Sequence, residues 1–155
     1  MLSIVIPIYN EEGLIDDLVK RTVSALESFI TDYEIIFVDD GSDDRSLQYL
    51  LNWQIKNQGI KVLSLSKNFG HQAAFTAGLE HSSGQIVGMM DGDLQDPPEL
   101  LGEMYRKINE EDYDIISGTR NGRIVWIEVV DCSGADCLSF SLIDPIAQQD
   151  RAAVS

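Results

Sequence analysis

Apolar residues recur along this chain with two alternating periods. Residues 3–8 form a short, β-branched, mostly apolar run, closed by Pro7 and the Tyr9-Asn10 pair. Residues 11–29 then carry Leu14, Ile15, Leu18, Val19, Val23, Leu26 and Phe29, a spacing that puts one apolar stripe on a helix. Residues 34–38 are a second apolar run, stopped by Asp39-Asp40-Gly41-Ser42, and Leu47, Leu50, Leu51 and Ile55 mark the helix that follows. Residues 60–65 predict a third strand, 70–81 a helix of small residues, 85–90 a fourth strand, 98–108 a helix begun by proline, and 113–117 a fifth strand.

Strands and helices alternating at these lengths predict an α/β fold: a doubly wound, mostly parallel sheet with flanking helices. In such a sheet, loops at the carboxyl ends of the strands share one rim, and ligands bind there. Segments 7–12, 38–42, 66–71 and 91–95 are therefore expected to converge, although they lie far apart in sequence. Past Arg120 the pattern dissolves: 124–130 is rich in apolar residues, but the Cys-, Ser- and Gln-containing sequence after it keeps no period. The expected organisation is one domain over 1–120 and a divergent or truncated tail over 121–155. Translation out of frame would explain the change, and it requires a longer, patterned continuation in another reading frame beyond Arg120.

The fourth strand delivers Asp91-Gly92-Asp93 into a loop that Asp96-Pro97-Pro98 prevents from continuing as strand. Two carboxylates two residues apart, with the Gln95 amide in reach, offer oxygen-only ligation, which suits Mg²⁺ or Mn²⁺ far better than zinc. Such ions commonly complete their shell with phosphate oxygens. The plain alternative is a turn, because Asp-Gly-Asp is common in turns that bind nothing.

With 155 residues and 44% hydrophobic content, the chain can bury one core, and two separate domains are not expected. Its formal net charge of −15 and the lack of any basic run exclude a general nucleic-acid surface and disfavour docking on anionic lipid by charge alone. No stretch approaches the roughly 18 apolar residues that span a bilayer. No signal-peptide features precede residue 9, so the expected location is cytoplasmic. Cys132 and Cys137 are expected to be isolated thiols, since His71 and His81 lie far from them and a zinc site needs more ligands.

Four ordered blocks carry a resemblance: Ile6-Pro7-Ile8-Tyr9-Asn10-Glu11; Val38-Asp39-Asp40-Gly41-Ser42-Asp43-Asp44; residues 65–74, Leu-Ser-Lys-Asn-Phe-Gly-His-Gln-Ala-Ala; and residues 91–99, Asp-Gly-Asp-Leu-Gln-Asp-Pro-Pro-Glu. Together they resemble the family 2 glycosyltransferases of GT-A fold, in particular the polyprenyl-phosphate hexose synthases. The resemblance covers about residues 2–120. It implies that Pro7, Tyr9 and Glu11 line a nucleotide site, that Asp40 contacts the base with Val38 packed nearby, and that Asn68 and Gly70 border the sugar nucleotide. It also implies that Asp91, Asp93 and Gln95 hold Mg²⁺ or Mn²⁺, and that Arg120 lies near the donor phosphates and the acceptor. Each residue has a plainer reading: Pro7 and Tyr9 could end a strand, Glu11 could complement a helix terminus, and Asp40 could cap the next helix. His71 is given no catalytic role.

The activity so implied is transfer of a hexose from GDP-mannose or UDP-glucose to a polyprenyl phosphate at the membrane surface, metal-assisted and inverting. A lipid phosphate is already anionic and needs no strong general base, whereas a sugar hydroxyl acceptor would need one. Four competitors stand beside it, the nearest a family 2 transferase acting on a sugar hydroxyl of a polysaccharide. Donor binding without turnover is favoured by the short chain. An aspartyl-nucleophile phosphohydrolase is disfavoured, because its paired acids generally follow the first strand. A dinucleotide-dependent dehydrogenase is disfavoured too, because no Gly-x-Gly-x-x-Gly turn follows that strand. The sequence names neither the base, the sugar nor the oligomeric state.

Overall fold

The computed structural model describes residues 1–111, 115–120, 123–132 and 152–154. In chain order the elements are β1 (Leu2–Ile8), α1 (Ile15–Glu27), β2 (Tyr33–Asp39), α2 (Ser46–Lys56), β3 (Ile60–Ser64), α3 (His71–Glu80), β4 (Ile86–Met90), α4 (Leu100–Glu111), β5 (Ile115–Arg120), β6 (Arg123–Asp131) and β7 (Ala152–Val154). Among the described residues the strands form one sheet in the order β3-β2-β1-β4-β6-β5-β7. β1 pairs in parallel with β2 and β4, and β2 with β3. β6 runs antiparallel between β4 and β5, and β7 lies parallel to β5.

The expected doubly wound, mostly parallel α/β sheet is what the chain forms. β1 is buried along its whole length, as a central strand covered on both faces must be. Its even residues Leu2, Ile4, Ile6 and Ile8 join Ile35 and Phe37 of β2 under α1, α2 and α4, where Leu18, Leu26, Leu50, Leu101 and Met104 complete the larger core. Val5, Ile36, Val38 and Val87 face the other way, onto Ala74, Phe75 and Leu79 of α3. α3 sits so close to the sheet that a side-chain carbon at Gly78 would collide with Val5, so the small residues of this helix serve packing.

Two elements differ from the sequence reading. α1 begins at Ile15, not Glu11: residues 11–14 make a tighter turn closed by Leu14 N–H on the Glu11 carbonyl, and helical bonding starts with Leu18 N–H on the Leu14 carbonyl. β6 arises from the segment left without an element. It fills the sheet between β4 and β5 through long-range pairing such as Met90 with Ile127, which no local period announces. Cys132, just after β6, is disulfide-bonded, which corrects the isolated thiol expected there, while Cys137 lies outside the described residues. Among the described residues no helix is long and apolar enough to cross a membrane.

Candidate functional site

The strand order reverses between β1 and β4, since β2 lies on one side of β1 and β4 on the other. Their register ends at Val5 and Met89, so beyond these residues the two strands separate. Ile8 turns its carbonyl towards β2, where it accepts from the Asp40 N–H. By alternation Pro7 faces β4, beyond the last paired residue, where its missing N–H costs no ladder bond. A cleft of about 320 Å³ opens at this point. Pro7, Tyr9 and Glu11 from the β1 end, Asp40 from β2, Asn68, Gly70 and His71 from the loop before α3, and Asp91, Gly92 and Asp93 from the β4 end line it.

The first two loops are laced to each other. The backbone N–H of Asn10 donates to Ser42 Oγ at 3.0 Å, that of Glu11 to Ser46 Oγ at 2.9 Å, and that of Glu12 to Asp44 Oδ2 at 3.1 Å. In return, Asp43 N–H donates to Asn10 Oδ1 at 2.8 Å and Arg45 N–H to Glu12 Oε2 at 2.9 Å. Asn10 adopts φ 55°, a left-handed conformation that Asn tolerates better than most residues. The lacing holds Glu11 at the cleft. Burial there raises the Glu11 carboxyl above its usual range, and the charges of Asp93 and Asp44 push it the same way.

Asp40 ties β2 to the loop before α3. Its Oδ1 accepts from Phe69 N–H at 2.8 Å and its Oδ2 from Gly70 N–H at 3.0 Å. Gly70 has φ 96°, open to glycine but strained for other residues, and from there the chain turns into α3 at His71. Asp39 differs: it is buried, with Oδ2 accepting from Ser42 N–H, while Oδ1 has no hydrogen-bond partner.

On the β4 side, Gly92 is buried where β4 passes the end of β1, and a side-chain carbon there would collide with Ile8 and lie 3.0 Å from the Pro7 carbonyl oxygen. Leu94 takes φ 59° and the Gln95 N–H donates back to Asp93 Oδ1 at 3.0 Å, so the loop folds over its own carboxylate. His71 Nε2 lies 2.5 Å from Asp91 Oδ1. That hydrogen bond raises the His71 pKa, burial opposes it, and the charges of Asp91, Asp40 and Asp93 add to the rise.

Most residues singled out in the sequence thus meet in one cleft: Pro7, Tyr9, Glu11, Asp40, Asn68, Gly70, Asp91 and Asp93. Val38 is buried in the core under α3 and does not line it. Gln95 is exposed, beside the cleft lining. Arg120 closes β5, which β6 separates from β4, and its side chain lies outside the described residues. His71 was passed over, because its partner stands twenty residues later and no spacing rule links them.

Among the described residues no group of three or more His, Cys, Asp or Glu is arranged around a metal position. Asp91 and Asp93 nevertheless give two hard carboxylates at one strand end, and their internal bonds use one oxygen of each. An ion held by one or two carboxylates, with phosphate and water completing its shell, is the usual arrangement for Mg²⁺, so this donor set fits.

The model of the family described as glycosyl transferase family 2 matches residues 3–125. The uncharacterized glycosyltransferase sll0501 of Synechocystis is 45% identical over 122 residues, which are 79% of this chain and 38% of that protein. The uncharacterized glycosyltransferase YkcC of Bacillus subtilis is 40% identical over 121 residues, 78% of this chain and 37% of that protein. The chain therefore spans under two-fifths of the length of these relatives. Among solved structures, S. aureus TarS 1-349 in complex with UDP-GlcNAc is 27% identical with a TM-score of 0.62, covering 79% of this chain and 36% of that one. The mannosyltransferase PcManGT from Pyrobaculum calidifontis, in complex with GDP-Man and Mn²⁺, has a TM-score of 0.70 at 15% identity, covering 84% and 44%. The sheet order, the four sandwiching helices and these matches make the fold GT-A, and the chain belongs to glycosyl transferase family 2.

Proposed function

We propose that this chain binds a nucleotide diphosphate sugar in the β1–β4 cleft and transfers its hexose, with inversion, to a polyprenyl phosphate. One observation carries the donor and metal part of this reading. The cleft is lined by four carboxylates, Glu11, Asp40, Asp91 and Asp93, against a single imidazole. A diphosphate cannot enter such a lining without a cation, and Asp91 and Asp93 stand at the carboxyl end of β4 with the chemistry to hold one. TarS with UDP-GlcNAc and PcManGT with GDP-Man and Mn²⁺ support the same donor class on this fold.

In this reading Asp91 and Asp93 hold Mg²⁺ or Mn²⁺, with Gln95 the further ligand that the family resemblance implies. When bound, the ion supplies positive charge to the donor diphosphate and to the leaving nucleotide. Pro7, Tyr9 and Glu11 orient the nucleoside at the β1 end, and Asp40 fixes the loop that brings Asn68 and Gly70 to the sugar nucleotide. The acceptor phosphate, an anion at neutral pH, attacks the anomeric carbon, and the nucleoside diphosphate leaves on the opposite face. Arg120 is assigned to the phosphates, where a planar guanidinium suits them. No general base is required of the chain. The work site is the cytoplasmic face of the membrane, with the chain peripheral to it.

A second reading, donor binding without turnover, is favoured by the cleft itself, whose lining residues all lie between Pro7 and Asp93. Calorimetry with GDP-mannose and UDP-glucose, with and without Mn²⁺, tests the shared part of both. The expected outcome is Mn²⁺-dependent binding of one donor, weakened at least about tenfold by Asp93→Ala, the scale on which even outer hydrogen bonds to metal ligands act. Binding of neither donor by the wild type would overturn the reading. A polyprenyl phosphate assay then separates the two: transfer of hexose excludes the binding-only reading, and its absence beside an active longer relative excludes turnover.

A further inference from the structure

His71 has no part in the assignments above, yet it lines the cleft and touches the Asp91 carboxylate. We propose that His71 is a positioning residue that fixes Asp91 in the orientation a divalent cation requires. The proposal rests on the metal-assisted donor reading.

An ionised carboxylate only accepts hydrogen bonds, so the short contact at Asp91 Oδ1 needs a hydrogen on His71 Nε2. The neutral Nε2–H tautomer supplies it as well as the imidazolium does, so the role does not depend on titration. The ring is steered from its other side by Phe75, one turn along α3, which meets it edge-on at 4.7 Å and 89° between planes. Phe75 is itself packed in the core under α3. The backbone that delivers the ring is set too, since Asp40 holds the N–H groups of Phe69 and Gly70 immediately before it. A continuous chain of contacts thus runs from the end of β2, through the loop and the imidazole, to the end of β4.

The bond to His71 occupies Asp91 Oδ1 and leaves Oδ2 as the candidate ligand atom. Carboxylates that bind metals are commonly held by such outer hydrogen bonds, and losing one costs roughly 10–100-fold in metal affinity.

The test titrates Mn²⁺ into the full chain with saturating GDP or UDP, reading free Mn²⁺ by electron paramagnetic resonance, for the wild type, His71→Phe and His71→Gln. His71→Phe keeps an aromatic ring beside Phe75 but cannot donate; His71→Gln can place an N–H near the Nε2 position. The expected result is a loss of roughly 10–100-fold in Mn²⁺ affinity for His71→Phe and recovery of most of it in His71→Gln, with circular dichroism showing all three folded. Equal or tighter Mn²⁺ binding by His71→Phe would overturn the assignment, and so would a His71→Gln variant as weak as His71→Phe. A wild type that takes no Mn²⁺ with either nucleotide would instead bring down the metal-assisted donor reading, a result read without any variant.

Discussion

The two banks of the cleft are built by different means. On the β1–β2 bank, three backbone N–H groups of residues 10–12 are satisfied by side chains of residues 42–46 and two N–H groups of residues 43–45 by side chains of residues 10–12, so the shape stands before any ligand arrives. On the β4 bank the carboxylate loop bonds to itself through Gln95 N–H and Asp93, and across the cleft through Asp91 and His71. Leu94 adds a left-handed residue that costs about 1–2 kcal/mol. Rigidity is spent where a neutral nucleoside would have to be shaped, and strain collects where charge would be neutralised. An outlier of this kind at a pair of acids is where a binding function is expected.

The largest break in that contrast should come at Gly92, where the two banks touch without polar bonds. In Gly92→Ala the new carbon collides with the end of the Ile8 side chain, which is buried and has little room to turn away, and lies tight against the Pro7 carbonyl oxygen, which as backbone cannot turn aside. The expected cost is about 1–3 kcal/mol, or roughly 2–12 °C in melting temperature. Because the β4 end must move away from β1, Mn²⁺-dependent donor binding should disappear in protein that is still folded at 20 °C. A variant melting like the wild type and binding donor normally would show that the banks are not in contact as described.

Asp40 comes next, since it ties the laced bank to the loop that carries His71. In Asp40→Asn one of the two N–H groups of Phe69 and Gly70 faces an amide NH₂ in place of an acceptor. A buried, unsatisfied donor costs about 1–3 kcal/mol, and the lower half of that range is expected because one acceptor remains. Amide hydrogen exchange should quicken over residues 66–71 and stay unchanged over 10–12 and 42–46, where the lacing is independent of Asp40. Uniform quickening would mean that the two ties act as one unit.

This contrast also explains what could be read from the sequence. Strands β1 to β4 show as apolar runs because both sheet faces are covered, and the rim follows from where Pro7, Asp39-Asp40 and Asp91-Gly92-Asp93 interrupt them. The start of α1 differs because Leu14 opens the apolar stripe while residues 11–14 close a tighter turn, Leu14 N–H on the Glu11 carbonyl, before helical bonding begins. β6 pairs on one side with its sequence neighbour β5, Arg120 opposite Arg123, and the Asn-Gly at 121–122 is a local signal for that hairpin; only its pairing on the other side, with β4, has no local signal. His71 has no role in the sequence reading because a lone histidine at a helix start is ordinary until Asp91 is seen beside it. Local periods announced the elements, and pairings between distant polar groups decided how the site is held.

The smallest effect is expected at Glu11, where the laced bank faces the acids of the other. An acid that served the positive end of α1 would have its pKa lowered. The Glu11 carboxyl is instead raised, by burial first and then by Asp93 and Asp44, so the fold bears its charge as a penalty. That penalty exists wherever Glu11 is ionised in the folded chain, and it fades as pH falls through the raised pKa towards the ordinary value of 4.5. Glu11→Gln removes the charge and keeps the shape. It should therefore stabilise the metal-free chain at pH 7, by no more than about 0.5 kcal/mol given the solvent still reaching the group, and the gain should vanish below pH 4.5. Melting curves of both proteins across that range are the measurement. A destabilised variant at neutral pH would place Glu11 in the service of the helix, while the expected pattern means that its charge is kept for a cation or a bound donor and not for stability.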